Sequence, residues 1–271
     1  MKRVLACLIA SIILMVSPGC DLNDEDDEGV LIESSLALAG IKELDIVTVS
    51  GDCTVQPAAD DTLRVELSYT FPETCFEPRY LHEGNELELK EYFPGESCTG
   101  NSHWVITLPT GVDVEFASAS GSFTLAEYTG ELDVATASGL VTVADVTGEL
   151  DLSSASGNVT VDGVVFTGAS VFSSASGNVL VVVDASPEYD LELNSASGDA
   201  VVNYSGNEVQ GYFEFTALQD GGEISSPYEF DSEVTYTEWG HVYMRKSFTR
   251  GQGTPRVTVG TASGIAELKL N

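Results

Sequence analysis

Apolar and polar residues alternate along most of the chain, and the alternation keeps returning to one short phrase. Ser-Ala-Ser-Gly stands at 118–121, 154–157, 174–177 and 195–198, with close variants at 136–139 and 261–264. Two apolar residues two apart precede the phrase in every copy but that at 174–177, as in Val114-Phe116-Ser118-Ser120-Gly121, Leu132-Val134-Thr136-Ser138-Gly139 and Leu191-Leu193-Ser195-Ser197-Gly198. Outlying copies read Leu44-Ile46-Thr48-Ser50-Gly51 and Val257-Val259-Thr261-Ser263-Gly264. A period of two predicts strands. The phrase glycines at 121, 139, 157, 177 and 198 set a repeat of 18 to 21 residues, the mark of a repeat architecture. Eighteen residues of strand span about 60 Å, enough for one coil of two or three short strands stacked about 4.8 Å from the next. The predicted fold class is all-β, a parallel β-helix-like solenoid. Its phrase glycine is expected to turn the corner by accepting positive φ.

Parity assigns the remaining positions. If Leu132 and Val134 face inward, Thr136 and Ser138 follow them, and a buried hydroxyl without a partner costs about 1–3 kcal/mol. The pattern therefore predicts internal ladders, hydroxyl bonded to hydroxyl from coil to coil. A row of nucleophiles is the alternative, but no His or Lys lies between Trp104 and Gly240 to activate one.

The phrase is lost twice. Between Gly51 and Gly121 the alternation predicts an irregular N-terminal β region with strands at 62–71, 86–92 and 103–108. Cys75 and Cys98 fall in the loops after the first two of these, at one end if the chain turns at Glu83-Gly84-Asn85. A disulfide between them is expected in an oxidising compartment. Cys53 occupies the inward slot that Val159 fills in its own coil, which predicts a buried thiol. Between Tyr204 and Phe248 aromatic residues crowd together, among them Tyr212, Phe213, Phe215, Tyr228 and Phe230. A cover for the open solenoid end accounts for them; a sugar-stacking site built from Trp239, Tyr236 and Tyr243 is the alternative.

Charge and the N-terminus narrow the setting. Formal net charge is −32, and loss of residues 1–19, which carry Lys2 and Arg3 and no acid, takes it to −34. This excludes nucleic acid and anionic membrane surfaces as partners, since both need Lys and Arg. Lys2 and Arg3, the apolar run Val4 to Val16 and Ser17-Pro18-Gly19-Cys20 predict a signal peptide over 1–19. Cys20 resembles the acylated cysteine of a bacterial lipobox, although Ser17 stands where Leu is usual. Six acids in residues 21–29 read as a solvated tether. The expected organisation is a signal peptide at 1–19, an acidic tether and first strand at 20–40, and one β-solenoid domain at 41–271. Its expected address is the bacterial outer membrane, surface-exposed, with a lipid anchor as the only membrane contact.

The [Ser/Thr]-Ala-Ser-Gly phrase with its flanking alternation, Leu108-Pro109 before the first regular coil, and Gly251-Gln252-Gly253 before the last Ala-Ser-Gly resemble the bacterial putative-adhesin family of β-strand-repeat proteins, relatives of head GIN domain proteins. The resemblance covers roughly 41–271. It implies a β-solenoid, often surface-anchored, without catalytic residues to carry over.

Candidate chemistry is sparse. His82, His103 and His241 lack zinc-ligand spacing. Glu115, Asp133, Asp151 and Glu192 share one outward position in their coils, and the first three are the candidate calcium ligands, with a screened acidic surface as the alternative. No cofactor other than calcium is expected. No Lys or Arg lies between Glu91 and Met244 to neutralise a uronate, so enzymatic activity is not expected. The sequence reads as a cell-surface lipoprotein with a binding or structural module for a glycan or protein ligand, serving adhesion or envelope organisation. An envelope-stress sensor or partner-binding module is the alternative, and a carbohydrate-active β-helix enzyme a third reading.

Overall fold

The computed structural model describes residues 27–30, 35–95 and 98–271. The expected signal peptide, Cys20 and most of the expected acidic tether lie outside the described residues. Among these residues there are only strands, turns and loops, and the strands form two sheets of 13 and 11 strands.

Each regular coil gives one strand to each sheet. Asp113–Ser118, Leu132–Thr136, Leu150–Ser154, Ser170–Ser174 and Leu191–Ser195 stack in parallel in the first sheet. Phe123–Thr129, Val141–Gly148, Val159–Phe166, Val179–Val183 and Ala200–Asn203 do the same in the second. Inward residues are aligned rung upon rung: Val114 on Leu132 on Leu150, and Phe123 on Val141 on Val159 on Val179. Every side chain in both rows is buried, which is the period-two pattern realised.

The outlying copies join this stack directly. Glu43–Thr48 pairs with Asp113–Ser118, and Asp52–Pro57 pairs with Phe123–Thr129, placing Cys53 in the inward row beside Phe123. At the other end Arg256–Thr261 lies on Leu191–Ser195, and Ile265–Lys269 on Ala200–Asn203. The intervening segments form coils still farther out. Glu86–Tyr92 and Ser102–Leu108 stack outside Glu43–Thr48 and Asp52–Pro57. Gly211–Leu218 and Glu223–Ser225 stack outside Arg256–Thr261 and Ile265–Lys269. At both ends, therefore, the spatial order of coils departs from chain order. Antiparallel strands complete the ends: Thr62–Tyr69, Glu77–Glu83, Ser35–Ala39 and Asp27–Val30 on one side, His241–Arg250 and Ser232–Glu238 on the other. The loop at 70–76 meets residues 93–95 and 98–101, and Cys75 and Cys98 are bonded with Cα atoms 5.8 Å apart.

The hydroxyl ladder is built differently from the expected one. Thr48, Ser118, Thr136, Ser154, Ser174, Ser195 and Thr261 are buried. Thr136, Ser154, Ser174, Ser195 and Thr261 each donate to the carbonyl of the phrase glycine one coil back, at 2.8–3.1 Å. Ser118, Thr136, Ser154, Ser174 and Ser195 accept the amide of their own phrase glycine at 2.8–3.0 Å. Rungs about 4.8 Å apart generally hold hydroxyls beyond the 2.7–2.8 Å of a direct bond, and the glycine carbonyl fills the gap. A direct hydroxyl pair occurs between Thr48 and Ser118, at 2.8 Å. The second hydroxyl of each phrase is a correction to parity. Ser120, Ser138, Ser156, Ser176 and Ser197 are exposed because each strand ends at the first hydroxyl and the chain bends.

The phrase glycines are needed for closeness, not for φ. None of Gly121, Gly139, Gly157, Gly177 or Gly198 is left-handed. A Cβ on Gly139 would stand 1.9 Å from the carbonyl oxygen of Gly121, and one on Gly157 1.8 Å from that of Gly139. The left-handed corner comes six residues later, at Glu127 (φ 56°), Asp145 (φ 54°) and Gly163 (φ 69°).

Candidate functional site

Two features on the outer face of the first sheet could carry function. The first is the acidic row. Register aligns Glu88, Asp45, Glu115, Asp133 and Asp151 on five adjacent strands, followed by Val171 and then Glu192. Partial burial pushes the Asp45 carboxyl up to about 6, with Glu115, Glu86, Glu88 and Glu43 adding to it. Asp133 is raised by the water lost to its flanking rungs and then by Asp151 and Glu131; Asp151 is raised by the same loss of water and by Glu192. Lys90 offsets one end through Glu88 at 3.5 Å.

The structure does not gather Glu115, Asp133 and Asp151 around one point. Successive strands are about 4.8 Å apart, so the first and third side chains start about 10 Å from each other, whereas calcium holds oxygens at about 2.3–2.6 Å. Among the described residues no three acidic, His or Cys side chains are grouped to hold one metal ion. The three candidate calcium ligands thus stand in a line, whereas a single metal site needs convergence.

The second feature is the hairpin made by Ser232–Glu238 and His241–Arg250. Its turn is Trp239-Gly240, both left-handed at φ 51° and 81°, a two-residue geometry suited to the strand twist. Trp239 is 89% exposed. Tyr236 and Tyr243 face each other across the hairpin with ring centroids 5.4 Å apart and planes 19° from parallel. The Arg245 guanidinium lies 4.6 Å over Tyr236, and Arg245 and Arg256 converge on Glu214 at 3.9 and 3.0 Å. Thus the structure pairs Tyr236 with Tyr243 and leaves Trp239 at the tip. Most other aromatics of the region turn inward: Phe213 and Phe215 are buried with Phe248, Phe213 stacks on it at 4.8 Å, and Tyr228 and Phe230 pack against it, whereas Tyr212 lies on the outer face and donates to Glu214. The inward rings are the end cover.

A further residue, Glu91, escaped the sequence reading. It is buried, opposite Thr48 in the hydroxyl row, and its carboxylate accepts the amides of Val49 and Ser50 at 2.8 and 3.2 Å, the Ser102 hydroxyl and the Trp104 indole. Its signal was legible as an acid on the inward parity of Leu87 and Leu89.

The family model described as Toastrack DUF4097 matches residues 35–265. The chain belongs to this family. The Toastrack match takes in both irregular segments along with the regular coils and begins after the acidic run of residues 21–28. None of the curated proteins matches the chain. Among solved structures, a putative cell adhesion protein from Clostridium sporogenes is similar at 14% identity over 91% of this chain and 100% of its own, with a TM-score of 0.35.

Proposed function

We propose that this Toastrack chain is a lipid-anchored module of the bacterial cell surface that binds a glycan or protein ligand through its aromatic hairpin, in adhesion or envelope organisation. The observation that carries the reading is the division of the terminal aromatics. Phe213, Phe215 and Phe248 are spent on covering the core, whereas Tyr236, Tyr243 and Trp239 are held out on a hairpin whose rings add little to it. An exposed Trp at a turn tip beside a Tyr pair suits stacking on a sugar face or anchoring in a partner's pocket. The module performs no turnover: the flat acidic row offers no cleft to enclose a sugar ring, and the regular coils carry no Lys or Arg.

Binding of the full chain and of Trp239→Ala to immobilised neutral glycans and to outer-membrane protein fractions tests the ligand reading. Loss of binding in the variant supports it, and equal binding of both removes the hairpin from the account. Anchoring is tested separately by radioactive palmitate, which should label the wild type and not Cys20→Ser.

A further inference from the structure

The first sheet ends at Ser232–Glu238, a strand with a neighbour on one side only. Its seven residues exceed the other described sheet edges, Asp27–Val30, Ser35–Ala39 and Glu223–Ser225, of four, five and three. It lacks Pro, Gly and Lys, and its register with His241–Arg250 runs without a bulge. Pro, Lys and bulges keep an edge from pairing with another chain, as do other charges; of the two acids here, Glu233 is paired with Lys246 at 3.1 Å. Val234 is 53% exposed, and Thr235 and Thr237 are open to solvent.

The turn fixes which backbone groups are free. In a two-residue turn the flanking residues, Glu238 and His241, exchange both backbone hydrogen bonds, and the pattern alternates from there. The Gln219 amide donates to the Val242 carbonyl at 2.9 Å, so Val242 faces the other neighbouring strand, as that alternation requires. The N–H and C=O groups of Glu233, Thr235 and Thr237 are left at the open edge.

We infer that this edge is a homodimer interface, in which Ser232–Glu238 of two copies pair antiparallel about a two-fold axis at Thr235. That register sets Thr235 opposite itself, Glu233 opposite Thr237, Val234 opposite Tyr236 and Ser232 opposite Glu238. Each valine meets a ring, and no two acids stand face to face, which favours cross-strand pairing. The same patch serves both copies, as an isologous contact demands. Charge points to the same place. The body is strongly acidic and has no Lys or Arg between Glu91 and Met244, but Arg245, Lys246 and Arg250 lie on the strand behind the edge. Two copies meet there against less repulsion than along the regular coils, which carry no Lys or Arg. The dimer joins the first sheets of both copies and presents two Trp239 tips; it stands whatever ligand those tips take.

Sedimentation of the full chain over a concentration series tests this, alongside Thr235→Pro and Thr235→Cys. Proline removes an edge N–H that has no partner within the chain, so the monomer keeps its fold. A cysteine at the axis would sit about 5.5 Å from its copy, Cα to Cα, inside the roughly 4.4–6.8 Å range of a disulfide. The expected results are a dimer for the wild type, a monomer with an unchanged thermal midpoint for Thr235→Pro, and an oxidised covalent dimer for Thr235→Cys but not for Thr237→Cys. A wild type that stays monomeric at all concentrations overturns the inference. So does a dimer that survives Thr235→Pro, or a Thr235→Cys chain that does not cross-link.

Discussion

The indole N–H of Trp104 donates to the buried carboxylate of Glu91 at 3.2 Å. This contact closes the hydroxyl row at its N-terminal end. Where later coils set one phrase glycine on the carbonyl of another, Gly51 sits against Glu91, Ser102 and Trp104. Replacing Glu91 by Ala leaves the amides of Val49 and Ser50, the Ser102 hydroxyl and the indole without their acceptor. Each unmade buried bond costs about 1–3 kcal/mol, so chemical denaturation should report a loss of at least about 3 kcal/mol, and a smaller loss for Glu91→Gln.

Glycines in the phrase and in turns should respond oppositely to their local geometry. Gly84 has φ 63° and open space around it, so Gly84→Ala should cost about 1–2 kcal/mol, the strain of a left-handed residue. Gly139 has ordinary φ but no room. Gly139→Ala should cost more than about 3 kcal/mol, since the added carbon overpacks backbone against backbone. Thermal or urea unfolding of the two variants checks the ranking.

Stability should rise as pH falls from neutrality towards 5. The Asp45 carboxyl is pushed up to about 6, above its value in an unfolded chain, by burial and by Glu115, Glu86, Glu88 and Glu43. Between the two values the folded state holds more protons, so acidification favours it. Asp60 works in the other direction, held down to about 2 chiefly by its hydrogen bond from Arg64, and its contribution is lost only below about pH 4. Calorimetry should show a higher midpoint at pH 5.5 than at 7.5, and Asp45→Asn should raise the midpoint at 7.5 and flatten the difference.

Peptide mapping of the unreduced protein should find Cys75 joined to Cys98 and Cys53 free. Cys53 is buried, and loss of water raises its thiol pKa, which makes it inert. With the bridged positions 23 apart in sequence, replacing both by Ser should remove about 3 kcal/mol of stability.

Outside the core a second ladder runs through the residue after each phrase glycine. The Asn178 amide donates to Asn158 Oδ1, that of Asp199 to Asn178 Oδ1 and that of Ile265 to Asp199 Oδ1, all at 2.9 Å. Leu140, 52% exposed, has no acceptor to offer at this position. Leu140→Asn should supply one to the next coil and raise stability by about 0.5–1.5 kcal/mol, measured as an upward shift of the denaturation midpoint.

Local alternation was enough to place the regular strands and the inward rows, because burial of every second residue is written into each coil. It failed at Ser138 and its equivalents, where the strand stops and parity ends with it. It also missed Glu77–Glu83, in which Pro78, Arg79 and His82 break the apolar rhythm. The order of coils at the ends was hidden for another reason: Gly51 meets Gly121, and Gly264 meets Gly198, across separations where no neighbouring residue encodes the pairing. In the hairpin, the residue types that mark a core strand also mark an exposed one, so Tyr236 and Phe248 looked alike until their surroundings were known.

The displaced coil order sets a timetable for folding. Gly211–Leu218 has its parallel partner only in Arg256–Thr261, which must also settle onto Leu191–Ser195. A chain delivered N-terminus first can finish its N-terminal coils and add the regular ones in order, but that last gap stays open until the final strands arrive. Completion of the protein is therefore a single late event, and a chain truncated before residue 256 is left with an unclosed stack.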